Sequence, residues 1–324
     1  MSIFATIRKR LGSSRSSSDK DMSESLCARI AAMQKQLAAI ENRMDLQEAF
    51  SHGSRATFVG NNRVLTKIVV ANNQIALFVE ADDRLLSPWF IASGQYETPL
   101  TNYFVSSLQP GSHCLDIGAN FGYFTCLMAR FCPNGRVVGV EADRHVYEIA
   151  RDNVFINGFG GFAEVIHAAA GDSASDMTLY RRNTRSGNTS IIRFPDEFTA
   201  QLAETPSQAF EVKGLRIDDL LPRMEGRVDF IKVDVEGAEP LVFDGARATI
   251  AANPNLAIVV EWSPDQIVAA GFDVSAFLAS LKAMDLQPYD LDLQGSPTPV
   301  TFEELLNLPY RAGILLRNRK RPAA

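Results

Sequence analysis

The 324-residue sequence lacks the features of several large protein classes. Its four cysteines form no Cys-x-x-Cys pair and have no histidines near them at zinc-ligand spacing, so no zinc site is expected. No apolar run reaches the roughly 20 residues that a membrane span needs. No apolar run follows Arg8, Lys9 and Arg10 either, which excludes a secretory signal of the usual kind. We therefore expect a cytoplasmic protein without a transmembrane segment.

An excess of positive charge is also missing. The chain carries 32 Lys and Arg residues against 38 Asp and Glu residues, for a formal net charge of −6. Because binding to a phosphate backbone needs a concentrated basic surface, this balance argues against nucleic acid as the main partner. The composition is that of an ordinary globular protein, with 46% hydrophobic and 22% charged residues, which is enough to form a sizeable core.

The first fifty residues differ in pattern from the rest of the chain. Residues 1–22 include a serine-rich stretch and predict a disordered or short amphipathic segment. Residues 23–50 predict a single helix whose apolar positions are spaced 4, 3, 4, 3 and 4 residues apart: Leu26, Ile30, Met33, Leu37, Ile40 and Met44. This spacing is typical of a coiled coil and predicts a homo-oligomer formed through the helix. An amphipathic helix packed on its own domain is the alternative.

Residues 56–320 predict an α/β domain, with N-terminal strands and a helix over 56–110 and an α/β core over 111–320. A hairpin is expected from strands 64–71 and 74–80 around Asn72-Asn73, followed by a helix over 98–108. In the core, seven strands are expected at 114–117, 136–141, 163–167, 228–234, 256–261, 287–291 and 312–317. Helices are expected near 121–131, 144–157, 236–249 and 273–284. This alternation predicts a mostly parallel sheet covered on both faces.

The strongest chemical signal is a turn between the first core strand and its helix, Asp116-Ile-Gly-Ala-Asn-Phe-Gly. Gly118 and Gly122 allow the backbone to approach a ligand closely at the start of a helix. The Gly-x-Gly-x-x-Gly pattern that binds a dinucleotide pyrophosphate is absent, and Asp116 would repel such a group. An acid there suits the ammonium group of a methionine moiety. The motif therefore favours S-adenosylmethionine over NAD.

Three more acids are expected beside this turn. Glu141 ends the second core strand, where a carboxylate can accept hydrogen bonds from both ribose hydroxyls of an adenosine. Asp234 ends the fourth strand and Glu261 the fifth. Because ligands bind beyond the carboxyl ends of parallel strands, these side chains should face one crevice. Lys232, inside the fourth strand, is expected to pair with an acid, since lysine is rarely buried unpaired.

These motifs resemble the FkbM-type S-adenosylmethionine-dependent methyltransferases. The resemblance runs from about Gly94 to Asn318 and is most specific at residues 116–125 and 229–242, with Gly94-Gln-Tyr-Glu97 as a supporting feature. It implies a Rossmann-like, seven-stranded, mostly parallel sheet and S-adenosylmethionine as cofactor. The cofactor-binding residues that it implies are Asp116, Gly118, Asn120 and Gly122 for the methionine end, Glu141 for the ribose, Ala169 and Asp172 near the adenine, and Asp234 near the transferable methyl group.

Methyltransferases of this type commonly act on hydroxyl oxygens of sugars, lipid-linked glycans or polyketides, so the resemblance implies a small-molecule or glycan acceptor. A hydroxyl must lose its proton as the new bond forms, and Asp234, then Glu236 or Glu261, are the candidate catalytic bases. Mg²⁺ is possible through Asp234 and Glu261, but the sequence shows no complete set of metal ligands. Acceptor recognition is expected in residues 171–227, which contain Arg181, Arg182, Arg185, Asn188 and Ser190.

Two other functions remain open at this point. An NAD-dependent oxidoreductase would use the same ribose carboxylate, although its glycine pattern is missing. A non-catalytic protein could keep the adenosine-binding fold and use residues 23–50 to assemble a scaffold.

Overall fold

The computed structural model describes residues 29, 30, 32–34, 36, 56–182, 187, 189–193, 195 and 206–318. The chain divides into two compact units, Met1–Ser51 and His52–Ala324. In the first unit the described residues are helical, and Met33 is 67% exposed. The rest of the predicted segments 1–22 and 23–50 lies outside the described residues, so the coiled coil stays a prediction.

The second unit begins with a three-stranded antiparallel sheet of β1 (Thr57–Gly60), β2 (Arg63–Val70) and β3 (Asn73–Glu80). The β2–β3 turn consists of Ala71 and Asn72, with φ of 46° and 63°, and Asn73 already pairs with Val70. The predicted turn was therefore wrong by one residue. A two-residue turn with both φ values positive matches the twist of the flanking strands. Two helices follow, α1 (Leu86–Ala92) and α2 (Thr98–Ser107), and the second confirms the helix predicted over 98–108.

The core is an eight-stranded sheet with the order β13-β12-β14-β11-β10-β4-β5-β6. Its strands are β4 (His113–Ile117), β5 (Arg136–Glu141), β6 (Ala163–His167), β10 (Phe230–Val233), β11 (Ala257–Trp262), β12 (Leu286–Leu291), β13 (Pro297–Pro299) and β14 (Arg311–Asn318). The five strands from β11 to β6 are parallel, whereas β14, β12 and β13 run antiparallel to their neighbours. All seven predicted strands are confirmed, and β13 adds a short eighth strand at one edge.

Helices cover both faces of this sheet, as predicted. They are α3 (Tyr123–Phe131), α4 (Arg144–Ile156), α5 (Glu239–Asp244), α6 (Arg247–Ala252), α7 (Pro264–Ala269), α8 (Val274–Ala283) and α9 (Phe302–Asn307). Successive residues of β4 alternate between two apolar clusters, with Cys114 in one and Leu115 in the other. None of the helices in the described ranges is long and apolar enough to cross a membrane.

The predicted helix over 236–249 was wrong in its start and in its continuity. Glu236 and Gly237 have φ of 54° and 101°, so the helix begins only at Glu239. It is interrupted again at Gly245, where a Cβ atom would lie 2.0 Å from the carbonyl oxygen of Gly171. Tertiary packing thus divides the segment into α5 and α6.

A second small sheet, separate in its strand pairing from the core sheet, has the order β7-β9-β8. Its strands are β7 (Ala169–Ala170), β8 (Asp176–Arg181) and β9 (Gln208–Leu215). β8 and β9, which fall within the segment 171–227, therefore pair with each other instead of extending the core sheet.

Candidate active site

A cavity of about 400 Å³ opens at the carboxyl ends of β4, β5, β10 and β11. The chain leaves β4 toward β5 on one side and later returns to β10 on the other, so the cavity lies where the strand order reverses. Open α/β sheets bind their ligands at such a point, and this volume is within the range of small-molecule sites. Seven of the predicted site residues line the cavity: Gly118, Asn120, Glu141, Ala169, Asp234, Glu236 and Glu261.

The glycine turn presents bare backbone to the cavity. Gly118 has φ of 79°, and a Cβ atom there would lie 1.8 Å from the carbonyl oxygen of Asp234. Only glycine allows the ends of β4 and β10 to approach this closely. Asn120 also has a positive φ, 49°, which asparagine tolerates better than most residues. The turn is tied to the next strand because the N–H groups of Gly118 and Ala119 donate to the Val140 carbonyl, each at 3.0 Å.

Glu141 is held in one orientation by two backbone donors. Its Oε2 accepts from the N–H of Asn120 at 2.8 Å, and its Oε1 accepts from the N–H of Asp143 at 2.8 Å. Burial, opposed by these hydrogen bonds, raises the pKa of Glu141 to about 7. Each oxygen keeps a further lone pair for a ligand, so the side chain suits a pair of hydroxyl donors.

Three carboxylates meet on the other side of the glycine turn. Asp234, Glu236 and Glu261 each place an oxygen within 4.8 Å of the others. The Gln266 amide donates to Oε2 of Glu236. Burial raises the pKa of Glu261 well above its ordinary value, and Asp234 and Glu236 raise it further. The sequence analysis saw no complete set of metal ligands; the fold brings together three carboxylates at a spacing that a base or a cation site could use.

Lys232 neutralises part of this charge from within β10. Its Nζ lies 2.9 Å from Oδ2 of Asp234 and 5.1 Å from the centre of the Phe124 ring, and the lysine side chain is 5% exposed. Burial alone would lower the pKa of Lys232, but the charges of Asp234, Asp116 and Glu97 raise it above its ordinary value. The predicted pairing with an acid is confirmed.

Three predicted cofactor-binding residues do not line the cavity: Asp116, Gly122 and Asp172. Asp116 is fully buried behind the wall, where its Oδ2 accepts from the Thr125 hydroxyl at 2.6 Å. A Cβ atom on Gly122 would lie 3.2 Å from that of Ala150, so this glycine serves helix packing. Asp172 is exposed, whereas the neighbouring residues 168–170 form part of the wall.

Sequence reasoning missed several wall residues that precede the core sheet. Trp89 is 60% exposed at the cavity, and Tyr96 and Glu97 lie beside it in the wall. The sequence feature that could have identified them is the Gly94-Gln-Tyr-Glu97 motif, which the family resemblance included without implying a function for it. Trp262, which ends β11 beside Glu261, does not line the cavity; it is fully buried and stacks on Phe277 with ring centres 6.4 Å apart.

The segment 171–227 contributes to the wall as well as to the small sheet. Met177, Leu179, Gly187, Thr189 and Ile191 line the cavity. The Ser190 hydroxyl donates to the carbonyl oxygen of Glu236 at 2.8 Å, and Arg181 pairs with Asp143 at 3.2 Å. Arg182 is buried. Arg185 and Asn188, also predicted to contact the acceptor, lie outside the described residues.

The sheet order, the ligand-sized cavity at its reversal point, and the glycine turn flanked by strand-end acids define a Rossmann-like α/β protein. The chain belongs to the family of the methyltransferase FkbM domain, whose profile matches residues 116–286. The resemblance found in the sequence is thereby confirmed. A profile for protein-L-isoaspartate(D-aspartate) O-methyltransferase matches residues 34–175.

Individual relatives are also methyltransferases. Methyltransferase sdnD of Sordaria araneosa is 24% identical over 186 residues, which cover 51% of this chain and 72% of that protein. A protein-L-isoaspartate O-methyltransferase of Aeropyrum pernix is 42% identical over 59 residues, or 18% of this chain and 23% of that protein. Among solved structures, an O-methyltransferase from Bacillus cereus in complex with SAH is 17% identical, covers 68% of this chain and 78% of its own, and has a TM-score of 0.38.

Proposed function

We propose that this protein transfers a methyl group from S-adenosylmethionine to a hydroxyl oxygen of a sugar, glycan or polyketide-like acceptor. The observation that supports the proposal is the placement of Glu141 and Asp234 on opposite sides of the Gly118 turn, at the ends of β5 and β10. Since β4 lies between these strands, their ends are roughly 10 Å apart. A nucleoside with an attached methionine can reach from the one carboxylate to the other.

The wall residues fit such a cofactor. Glu141 would bind the ribose hydroxyls, the backbone at Gly118 and Asn120 would lie along the methionine, and Ala168 and Ala169 would pack on the adenine. When bound, S-adenosylmethionine supplies a methyl group activated by its sulfonium. The protein's main contribution is then to align the acceptor oxygen with that methyl group.

Asp234 would accept the proton of the acceptor hydroxyl. Lys232 binds its Oδ2, which fixes the carboxylate and leaves Oδ1 for the acceptor. Glu261 is the poorer candidate because burial and the nearby acids raise its pKa well above the ordinary value, which disfavours the charged carboxylate. Glu236 is restrained by the Gln266 amide. These contacts support Asp234 as the base, with the other two acids shaping the acceptor side.

Isothermal titration calorimetry with S-adenosylmethionine, and with NADH as the control, tests the cofactor. Tight binding of S-adenosylmethionine alone would support the proposal and justify a screen of glycan and polyketide hydroxyls for radiolabelled methyl transfer. Retention of NADH alone would instead support the oxidoreductase alternative. Binding of neither would favour a non-catalytic scaffold.

Glu141→Gln is expected to weaken S-adenosylmethionine binding by about tenfold, since the amide replaces a charged acceptor of two hydroxyls and a charge-assisted hydrogen bond contributes about 1.5–3 kcal/mol. The dissociation constant from calorimetry measures the effect. Glu164→Gln is the matched control, because Glu164 lies on the adjacent strand β6 and pairs with Arg223 at the surface. Equal affinities for the two variants would remove Glu141 from the ribose site.

We also propose that residues 23–50 form a coiled coil that joins copies of the chain. The apolar spacing supports this, and Met33 is accessible on the described part of the helix. A Met33→Cys variant is expected to give an intersubunit disulfide under mild oxidation, seen as a doubled mass on a non-reducing gel. Ala32→Cys, at the outer c position of the heptad and exposed on the helix, serves as the control. A monomeric product at position 33 would contradict the coiled coil.

A further inference from the structure

Glu97 ends the Gly94-Gln-Tyr-Glu97 motif, to which the proposed reaction gives no role. It directly precedes α2 with φ of 41° and ψ of 60°, and its side chain makes no capping hydrogen bond with that helix. A glutamate is unfavourable in this left-handed conformation, where glycine or asparagine fits better. The local backbone therefore gives no reason for a glutamate at this position.

The Glu97 carboxylate belongs to the cavity wall. Its Oε2 is inaccessible to solvent and has no hydrogen-bond partner among the described residues. Burial raises the pKa of Glu97 to about 7; Lys232 opposes this shift, and Asp234 and Asp116 add to it. The neighbouring Tyr96 side chain favours the charged carboxylate and acts to lower its pKa. A buried acceptor without a donor is costly, so the arrangement suits a ligand that brings a donor.

The balance of charge at this end of the cavity points to a cationic donor. Lys232 interacts with Asp234, Asp116 and Glu97, so one ammonium faces three carboxylates. The Nζ atom of Lys232 already lies 2.9 Å from Oδ2 of Asp234. Asp116 is buried behind the cavity wall, where it accepts a hydrogen bond from the Thr125 hydroxyl. Of these three acids, Glu97 and Asp234 line the cavity itself. Buried negative charge in excess is stabilised by a positive group on the ligand.

We propose that Glu97 binds the ammonium group of the cofactor's methionine moiety, the role that the family resemblance implies for Asp116. The inference rests on the proposed function, because it assumes a cofactor with an amino-acid tail. Asp116 then acts from behind the wall, where its charge helps to hold Lys232 in place. Glu97 is thus a cofactor-binding residue contributed from outside the two most specific motifs, residues 116–125 and 229–242.

Two ligands separate this contact from the rest of the site. S-adenosylhomocysteine carries the ammonium group, whereas 5′-methylthioadenosine has the same nucleoside and thioether without the amino-acid tail. Glu97→Gln is expected to weaken binding of S-adenosylhomocysteine by about tenfold and to change that of 5′-methylthioadenosine by less than twofold, as measured by calorimetry on the full chain. Glu239→Gln is the matched control: Glu239 is also buried, but it does not line the cavity, and its Oε1 accepts from the backbone N–H groups of Val235 and Gly237.

Glu97→Asn provides a second variant in case the glutamine variant folds poorly. Asparagine tolerates the left-handed backbone, so this variant is expected to melt at the same temperature as the wild type or higher while binding S-adenosylhomocysteine more weakly. Equal weakening of both ligands, or undiminished binding of S-adenosylhomocysteine, would overturn the inference. Wild-type protein that binds neither ligand would overturn the proposed function, and this inference with it.

Discussion

Asp234→Asn is expected to lower the rate of methyl transfer by about a thousandfold, since general-base catalysis contributes about 10²- to 10⁴-fold and an amide cannot accept the acceptor's proton. The amide keeps the size of the side chain. The carbonyl oxygen of residue 234, which lies against Gly118, is unchanged. Binding of S-adenosylmethionine should therefore stay within a few-fold of the wild type. Single-turnover transfer to a hydroxyl acceptor, with calorimetry beside it, measures the two effects separately.

The control for this experiment is Asp244→Asn, because Asp244 is exposed and pairs with Arg247 at the end of α5. Undiminished turnover of Asp234→Asn would remove Asp234 from the mechanism. Binding of Mg²⁺ is the other function that the cluster of Asp234, Glu236 and Glu261 allows. If Asp234 acts as a base without a metal, wild-type turnover should survive the addition of EDTA. Loss of turnover in EDTA and its return with Mg²⁺ would instead identify Asp234 as a metal ligand.

Lys232→Met should reduce the free energy of unfolding by about 3–5 kcal/mol, because removing one partner of a buried ion pair leaves uncompensated charge. Here the charges left behind are those of Asp234, Asp116 and Glu97. Urea unfolding followed by circular dichroism measures the loss. Lys213→Met is the matched surface control: its lysine reaches Asp176 at 2.6 Å but is 77% exposed. An exposed pair of this kind contributes at most about 1 kcal/mol.

The loss in Lys232→Met should depend on pH in a defined direction. Without the lysine, the pKa of Glu97, already about 7, and the raised pKa of Asp116 both rise further in the folded protein. A carboxyl whose folded pKa exceeds its unfolded pKa favours folding at low pH and loses that advantage as the pH rises through the folded pKa. The variant should therefore be closer to the wild type at pH 6 than at pH 8. Asp234→Asn added to Lys232→Met should restore part of the stability; an additive loss would contradict the ion-pair account.

The sequence predicted the core strands and the acids at their ends because both depend on local rules. Strands of four to eight apolar residues between helices form a parallel sheet, and the carboxyl ends of such strands meet at one edge. Glu141, Asp234 and Glu261 line one cavity for that reason. The glycine turn could be predicted equally well, because its positive φ values and its contact with the Asp234 carbonyl oxygen require glycine at 118 and favour asparagine at 120.

What the sequence did not predict depends on contacts between distant segments. The helix after Asp234 begins late because Glu236 and Gly237 have positive φ values, and Gly237 packs so closely on the Gln266 carbonyl oxygen that a Cβ atom would lie 2.6 Å from it. Glu97 enters the wall from the position just before α2, which precedes the core sheet in the chain, and no strand-end rule applies to it. Asp116 could have been placed better: side chains alternate along a strand, which puts it on the Cys114 face, where Thr125 covers it.

The separate pairing of the β7-β9-β8 sheet has a consequence for how such a protein can diversify. Its hydrogen-bond ladder is independent of the one that holds β4, β5 and β10 in register. Changes between β7 and β9 that keep the Arg181–Asp143 and Ser190–Glu236 contacts can therefore accumulate without displacing the glycine turn or Glu141. Evolution or protein engineering can therefore vary that segment, and with it the proposed acceptor. The residues proposed to bind the methyl donor would stay unchanged.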